Sequence, residues 1–162
     1  MTIDFWIEKL ALLPHPEGGF YKEMYRSEEE IPAVALPNRF KGNRSFSTAI
    51  YYLLGRHDFS AFHRIHADET WHFYDGEPLL LRLLHPDGRL EEVMLGVGEN
   101  CRPMFTVKSG LWFAAKSSET FSLCGCTVAP GFDFADFEMA AAESLSKEFP
   151  QHRSIIESFT RS

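Results

Sequence analysis

The sequence predicts an all-β protein with a short N-terminal helix and C-terminal helices. Between residues 20 and 128, short apolar or alternating stretches are separated by turns rich in Gly and Pro. Aromatic residues make up 14% of the chain and include fifteen Phe, and aromatic rings pack well on pleated sheets. Short strands at this spacing are typical of an antiparallel sandwich or barrel. The length of 162 residues is consistent with a single domain over residues 1–162.

The N-terminal helix is predicted over residues 2–13, with Thr2 as its N-cap and Pro14 ending it. His15, between two prolines, is expected to shape a tight turn with Gly18 and Gly19. Residues 27–43 are expected to form a surface loop, and residues 137–149 a helix that is followed by a short last helix to about Phe159. The predicted strands are 20–26, 45–54, 59–66, 71–74, 79–85, 90–95, 105–107, 111–115 and 120–128.

The formal net charge of −7 disfavours binding to a phosphate backbone, so no nucleic-acid partner is expected. No apolar run approaches the ~20 residues that span a bilayer, and the first residues lack the pattern of a secretory signal. Cys101, Cys124 and Cys126 are an odd number of cysteines, which we expect to be buried reduced thiols. These features predict a cytoplasmic protein without a membrane partner.

Residues 62–76 concentrate the groups that titrate or bind metals. The segment contains His63, His66, Glu69 and His72 within a strand–turn–strand pattern that ends at Gly76. In a strand, residues two apart point to the same face, so the exact spacing decides which of these side chains converge. The segment is therefore the primary candidate for a functional site.

Several motifs resemble those of the cupin superfamily. His63, Glu69 and Gly76 fit part of the first cupin motif, Gly-(x5)-His-x-His-(x3,4)-Glu-(x6)-Gly, and the second motif would fall over residues 103–116. The match is closer to the domain-of-unknown-function 985 family, cupin_5. The blocks that carry this resemblance are His-Pro-Glu-Gly-Gly (15–19), Ile-Tyr-Tyr-Leu-Leu (50–54), His-Arg-Ile-His-x-Asp-Glu-x-Trp-His (63–72), Trp-Phe-Ala-Ala (112–115) and Pro-Gly-Phe-Asp (130–133).

The resemblance implies a cupin double-stranded β-helix, or jelly roll, with a pocket inside a small barrel. It also implies a homodimer, often formed through N-terminal strands. A small-molecule ligand is expected in the pocket, and the fold is similar to that of deoxythymidine-diphosphate-sugar 3,5-epimerases. Because one fold hosts many functions, this likeness alone does not specify a reaction.

A cupin metal centre of the usual kind needs three His and one Glu. The position two residues after His63 is Ile65, and the position of the second-motif His is Phe113, so His63 and Glu69 are the two remaining candidate ligands. His66 or His72 could substitute only through a bulge or turn. Two ligands predict weak divalent metal binding at most, and no tightly bound cofactor is expected.

Without a metal, the same residues suggest proton transfer. His63 would be the general base, Glu69 or Asp68 would orient it, and Tyr52 would donate a proton across the barrel. His66, His72 and Arg82 are candidate ligand-binding residues, and Trp112 and Phe113 would form an aromatic wall. Arg82 could instead face outward and cover the sheet with its alkyl stem.

Each of these residues also has a structural interpretation. His63 could be a core histidine bonded only to its neighbours, His66 and His72 could lie in structural or interface positions, and Glu69 could accept backbone hydrogen bonds at a turn. Three functions therefore stay open: a sugar or nucleotide-sugar epimerase or isomerase using His-based proton transfer, a non-catalytic small-ligand binding or sensing module, and a metal-dependent enzyme with an incomplete ligand set.

Overall fold

Thirteen strands and three α-helices make up most of the computed structural model, which describes residues 1–161. The strands are β1 (Leu13–Pro14), β2 (Phe20–Arg26), β3 (Glu30–Ile31), β4 (Arg44–Ser45), β5 (Thr48–Gly55), β6 (Phe59–Arg64), β7 (Asp68–Gly76), β8 (Leu79–Leu84), β9 (Leu90–Leu95), β10 (Met104–Val107), β11 (Trp112–Ser117), β12 (Phe121–Ala129) and β13 (Glu138–Met139). The helices are α1 (Ile3–Leu10), α2 (Ala142–Glu148) and α3 (Arg153–Ser158).

The strands form two large antiparallel sheets and one small pair. The first sheet has the order β1-β2-β5-β12-β7-β10, the second has the order β13-β6-β11-β8-β9, and β3 pairs with β4. Neighbouring strands are often far apart in sequence, as where β5 pairs with β12 and β6 with β11. The predicted β class is confirmed, because both large sheets are built from the short strands that the Gly and Pro turns delimit.

A shared apolar core joins the two sheets. Alternate residues of each strand enter it, so Leu79, Leu81 and Leu83 of β8 are buried against Trp71 and Tyr52 of the first sheet. The opposite face of the second sheet packs beneath the C-terminal helices through Leu84, Trp112 and Ala114. The outer face of the first sheet contacts α1 through Leu53, Phe121 and Leu123.

The N-terminal helix is specified by its capping residues. The Thr2 hydroxyl accepts a hydrogen bond from Phe5 N at 3.2 Å, as the sequence predicts. Ala11 adopts a left-handed conformation at φ 49° and ends the helix, with Leu12 N donating to Ile7 O. The helix is therefore shorter than the predicted range of 2–13. Among residues 1–161, no helix combines the length and the apolar character needed to cross a membrane.

The region after residue 130 differs from its prediction. Residues 137–149 were expected to form one helix, but Glu138 and Met139 pair with Arg64 and His63 of β6, and the helix begins only at Ala142. This prediction is wrong because Phe137 packs with the aromatic side chains near His63, which keeps the chain extended there. The strand predicted over 45–54 is also interrupted, since Phe46 and Ser47 lie between β4 and β5.

Candidate functional site

A cavity of about 540 Å³ opens between the two sheets at the end of the apolar core. It is lined by the inward residues of β2, β5, β7 and β12, by His63 of β6, and by a segment after Pro130 that carries Phe132, Phe134 and Phe137. The residues at the closed end are buried, whereas Leu13 and Phe134 at the mouth are 65% and 50% exposed. Cavities of this size accommodate small molecules.

Two histidines and two glutamates in the lining have side chains that are almost inaccessible to solvent: His15, Glu17, His63 and Glu69. Glu17 comes from the turn before β2, His63 from β6 and Glu69 from β7. Alternation along β7 turns Glu69 and Trp71 inward, whereas Thr70 pairs with Thr106 at 3.0 Å on the other face. Two sheets and one turn thus contribute to a single site.

His63 and Glu17 form a buried ion pair. The Glu17 Oε2 lies 2.8 Å from His63 Nε2, and the Ala61 carbonyl oxygen lies 2.7 Å from His63 Nδ1. Both ring nitrogens therefore face acceptors, which suits a ring that carries two protons. Burial opposes the charge, but the Glu17 carboxylate outweighs it and raises the pKa of His63. Burial also opposes the charge of Glu17 and by itself would raise the pKa of this carboxyl. The interaction with His63 outweighs burial, and the pKa of Glu17 is lowered.

Glu69 differs from Glu17 in that its pKa is raised. Burial raises its pKa to about 7, and the nearby His63 only partly counteracts this effect. No Arg or Lys among residues 1–161 forms an ion pair with it. The pKa values of these two carboxyls are thus shifted in opposite directions. Glu17 stays ionised, whereas Glu69 can exchange a proton near neutral pH.

Backbone geometry explains how Glu17 reaches His63. The turn closes through Gly18 N donating to His15 O and His15 N donating to Gly19 O. Gly18 has φ 113°, and a Cβ there would collide with Phe59 O. Only glycine lets the turn lie this close to β6, and Ala61 N then donates to Glu17 O at 2.8 Å.

Tyr52 also reaches the cavity, as the strand pattern of residues 45–54 predicts. Its hydroxyl donates to Gly18 O at 2.6 Å. Burial, with Glu17 nearby, raises the pKa of Tyr52 well above its ordinary value of 10.0. The Tyr52 proton is therefore already bound to the backbone of the same turn.

Several predicted site residues lie outside the cavity. The side chain of His72 bonds to Thr127 Oγ1 at 3.0 Å on the outer face of the first sheet, because it is adjacent to the inward Trp71. His66 follows the end of β6 and packs near Phe40. Asp68, an alternative partner of His63, bonds instead to Lys108 Nζ at 2.9 Å. These placements correct the expectations that His66 and His72 bind the ligand and that Asp68 orients His63.

The expectation of an aromatic wall made by both Trp112 and Phe113 is also corrected. Neighbours in a strand point to opposite faces, so Phe113 faces His63 at 4.2 Å between ring centroids, whereas Trp112 lies under the C-terminal helices. Arg82 is opposite Ala114 in the register and shares the Trp112 face. Its Nε donates to Glu92 Oε1 at 3.1 Å, and its guanidinium lies over the Phe159 ring. Arg82 therefore faces outward and does not bind a ligand in the cavity.

Sequence reasoning assigned no chemistry to several residues of the site. His15 and Glu17 belong to the His-Pro-Glu-Gly-Gly block. Two ionisable residues beside paired glycines are the sequence pattern that could have indicated a site there. Trp71 and Cys126 line the cavity beside Glu69, and both favour the ionised form of its carboxyl, although burial outweighs them. The Trp71 Nε1 is buried and has no hydrogen-bond partner among residues 1–161.

The aromatic segment over the mouth is held by polar anchors. Arg44 forms a buried, bidentate ion pair with Asp136 at 2.7 and 2.8 Å, a geometry that fixes both partners. Phe132 N donates to Thr48 Oγ1, and Phe132 O accepts from Arg26. The segment is therefore fastened at Phe132 and at Asp136, with Phe134 between the two anchors and Phe137 directly after the second.

The two candidate metal ligands do not suit a resident metal in this arrangement. An imidazolium whose nitrogens contact Glu17 and Ala61 O has no lone pair to offer. Within the described part of the chain, no cluster of three or more His, Cys, Asp or Glu side chains is arranged to hold a metal ion. The donor chemistry of His63 thus disagrees with the metal centre that the cupin motif implies.

Comparison with known proteins places the chain among structures of the same size. Protein SO0799 from Shewanella oneidensis is 37% identical, with 99% of this chain and 98% of that chain covered at a TM-score of 0.89. A hypothetical protein from Leishmania major is 30% identical, with both chains fully covered at a TM-score of 0.91. The uncharacterized protein YML079W of Saccharomyces cerevisiae is 28% identical over 154 residues, which cover 87% of this chain and 76% of that protein.

More distant structures share the fold alone. Oxalate decarboxylase from Bacillus subtilis is 14% identical, with a TM-score of 0.56 over 90% of this chain and 36% of the decarboxylase. The family model described as Cupin superfamily (DUF985) matches residues 4–140. With its two-sheet architecture and its blocks from His15 to Asp133, the chain belongs to this DUF985 family of the cupin superfamily.

Proposed function

We propose that the cavity binds a small molecule and moves a proton on it, as in an isomerase. The observation that carries this proposal is the pair of buried carboxyls around His63, of which Glu17 is neutralised by the imidazolium and Glu69 faces the cavity without an ion-pair partner. A general acid–base group works best when its pKa lies near the working pH. Glu69, with a pKa of about 7, meets that condition.

The roles of His63 and Glu69 are exchanged relative to the sequence-based hypothesis. In the proposed mechanism Glu69 accepts and returns the proton, because both nitrogens of His63 are engaged. The fixed charge of His63 keeps Glu17 ionised and also favours the ionised form of Glu69. His63 therefore acts through Glu17 and Glu69 as a positioning residue.

An epimerase would need a second proton donor on the opposite side of the substrate. Tyr52 is the residue that the sequence suggests for this role, but its hydroxyl bonds to Gly18 O. A single exchanging carboxyl is better suited to returning the proton on the face from which it came. We therefore favour isomerisation over epimerisation.

The proposed ligand has the size of a monosaccharide. The aromatic rings of Tyr21, Trp71 and Phe137 in the lining offer faces on which a ring can stack. A nucleotide sugar would need several cations for its diphosphate, but Arg26 is already paired with Glu23 at 2.8 Å. Lys22 is the one lysine of the described chain that lines the cavity. A sugar without a nucleotide thus fits the charges better.

The experiment is exchange of solvent deuterium into a bound ligand. A thermal-shift screen with sugars, sugar acids and nucleotide sugars first identifies compounds that raise the melting temperature. In D₂O, the wild-type protein should then catalyse loss of a C–H signal of that compound. Glu69→Gln should slow this exchange about 10²–10⁴-fold, as expected for loss of a general base.

Asp68→Asn is the matched control, because Asp68 is adjacent in sequence but bonds to Lys108 outside the cavity. It should exchange at the wild-type rate. If Glu69→Gln exchanges at that rate too, the assignment of the base is wrong. If the ligand binds and the wild-type protein shows no exchange, the function is non-catalytic binding or sensing.

We also propose that the protein works without a tightly bound metal, as a cytoplasmic homodimer. The engagement of both His63 nitrogens supports the first point, and the unpaired state of Cys101, Cys124 and Cys126 supports a reducing compartment. Met24 and Tyr25 of β2 are each 53% exposed on a strand whose outer edge is paired only at Phe20 and Tyr21, which supports association with a second copy. Elemental analysis of protein purified without chelator or nickel resin should find well below one equivalent of metal.

A further inference from the structure

His15 has a hydrogen-bonding pattern that defines its tautomer. Glu17 N donates to His15 Nδ1 at 3.1 Å, so Nδ1 must present a lone pair. The neutral ring then carries its proton on Nε2. Burial lowers the pKa of His15, against the opposing effect of Glu17, so the ring is neutral at pH 7. The backbone of the glycine turn thus orients the ring and selects its donor atom.

The Nε2–H of His15 is left free for a ligand. The ring lines the cavity and contacts mainly aromatic side chains, with centroid distances of 4.6 Å to Tyr21, 5.9 Å to Tyr52 and 6.2 Å to Phe137. None of the hydrogen bonds among residues 1–161 uses Nε2 of His15. Its side chain is only 7% exposed, yet Nε2 is not one of the fully buried atoms without a partner, so this donor can be reached from the open space of the cavity.

The charges of the cavity indicate what the partner atom is. At the closed end, the charge of His63 is matched by Glu17 at 2.8 Å, and Glu69 carries a negative charge when it is ionised. A carboxylate or phosphate placed there would meet two carboxyls and no free cation. Lys22, Glu23 and Arg26 lie toward the mouth, where Glu23 and Arg26 are about 40% exposed. An uncharged oxygen that accepts one hydrogen bond suits the closed end.

We infer that His15 Nε2–H binds the carbonyl oxygen of an uncharged carbonyl compound that carries a C–H next to that carbonyl. This inference rests on the proposed proton transfer by Glu69 and names its substrate class. His15 is then a catalytic residue, because it touches the reacting group. The carbonyl oxygen is the atom on which charge develops when the neighbouring C–H is deprotonated.

The step balances without a further reactant. The Glu69 carboxylate takes the proton from the carbon, the C–H electron pair forms a C=C bond, and the carbonyl π pair moves to oxygen. The resulting enolate oxygen is held by His15 Nε2–H, which keeps its proton. Glu69, now a carboxylic acid, returns the proton to the same carbon. Where that carbon also carries a hydroxyl group, transfer of the hydroxyl proton to the enolate oxygen lets Glu69 protonate the former carbonyl carbon instead, and the carbonyl then forms at the neighbouring carbon.

Two substitutions separate the two nitrogens of His15. Asparagine can place its amide oxygen near the position of Nδ1 and keep the bond from Glu17 N, but it loses the distal donor. Glutamine can place its amide N–H near the position of Nε2 and keep that donor, but it loses the acceptor for Glu17 N. His15→Asn and His15→Gln are therefore a matched pair that distinguishes hydrogen bonding to the ligand from support of the turn.

The probes are dihydroxyacetone, D-xylulose and 2-hydroxycyclohexanone, followed in D₂O by proton NMR. Glycerate and D-xylonate are their charged counterparts. With wild-type protein, at least one neutral probe should exchange the hydrogen next to its carbonyl, and the acids should not. His15→Asn should lower kcat about 10²–10³-fold, as for loss of one donor to an oxyanion, and His15→Gln should recover part of that loss.

Each result is decisive. Exchange of a neutral probe that is unchanged in His15→Asn but lost in Glu69→Gln overturns the role of His15 and leaves the proposed function intact. Exchange confined to the acids overturns the uncharged substrate class. No enzyme-dependent exchange in any probe overturns the class together with the proposed proton transfer. Independently of any ligand, ¹⁵N NMR should find His15 as the neutral Nε2–H tautomer at pH 7, and the Nδ1–H form would contradict the inference.

Discussion

At the scale of single residues, two histidines and two glutamates with almost inaccessible side chains line the site in different charge states. Glu17 and His63 neutralise each other at 2.8 Å, His15 is held neutral by burial, and Glu69 is left near its titration point. Because all four lie in one cavity, the charge of each depends on the others. Two predictions concern this coupling.

The first prediction concerns the buried ion pair. Glu17→Ala removes the partner of a buried His63 and should cost about 3–5 kcal/mol in the free energy of unfolding. Glu17→Gln should cost only about 1–2 kcal/mol, because the amide can donate to Nε2 of a neutral His63. Urea denaturation at pH 7 measures both values. Equal costs for the two variants would show that Glu17 acts through its shape and not through its hydrogen bond to His63.

The second prediction concerns pH. The pKa of Glu69 is about 7 in the folded protein against 4.5 ordinarily, so the folded state binds this proton more tightly than the unfolded state. The corresponding stabilisation is fully present below pH 4.5 and is lost as the pH rises through 7, with a total of about 3 kcal/mol. The stability of wild type relative to Glu69→Gln should therefore fall over that window.

Urea denaturation at several pH values measures this difference, in which the contributions of His15 and His63 largely cancel. Glu99→Gln is the control, because Glu99 lies exposed in the loop between β9 and β10. Because it is an exposed surface substitution, it should change the free energy of unfolding by no more than about 0.5 kcal/mol. A flat difference for Glu69→Gln would mean that Glu69 has an ordinary pKa in the folded protein.

At the scale of elements, strand alternation and one glycine turn decide which side chains meet. Alternation along β7 turns Glu69 and Trp71 inward and His72 outward. The turn at Gly18 and Gly19, which lies between β1 and β2, brings Glu17 to His63 of β6. A single methyl group in that turn should therefore disturb the whole site.

The third prediction tests the turn. Gly18→Ala places a Cβ against Phe59 O at φ 113°, and backbone atoms cannot yield as a flexible side chain can. Gly110→Ala is the matched control, because its φ is 80° but no atom lies within 4 Å of the added Cβ. The control should cost about 1–2 kcal/mol, and Gly18→Ala at least about 2 kcal/mol more. Equal costs in urea denaturation would show that the turn has room for a side chain.

At the scale of the whole molecule, the cavity exists because the two sheets separate at one end and aromatic rings cover the gap. The covering segment is anchored to β5 through Thr48 and to β4 through the Arg44–Asp136 ion pair. The exposed strand β2 contributes Lys22 and Glu23 to the same cavity. Association of two copies along β2 would therefore bring the two cavity mouths close to the interface.

The fourth prediction tests that association. Wild-type protein should elute as a dimer in size-exclusion chromatography with light scattering. The double substitution Met24→Glu and Tyr25→Glu should shift it to the monomer, because four added charges across a symmetric interface repel each other. Val97→Glu is the control, since Val97 is 74% exposed in the loop after β9. A monomeric wild type would refute the proposed dimer.

Much of the fold was predictable because local patterns specify it. The bounds of β2 and β9 are those predicted, and the Thr2 cap is also confirmed, since alternation and capping are properties of adjacent residues. Residues 137–149 were not predictable in the same way. Their alanines favour a helix, but Phe137 packs near His63 and keeps the preceding residues extended.

The sequence by itself determined the family blocks, the strand order along the chain and the presence of His63, Glu69 and Tyr52 on inward positions. Only the tertiary structure placed Glu17 on His63 and His15 in the cavity, because that contact joins a turn to a strand more than forty residues away. It also separated Trp112, Arg82, His66 and His72 from the site. The physical reason is that spacing along a strand specifies a face, whereas the identity of what lies opposite that face depends on how distant segments pack.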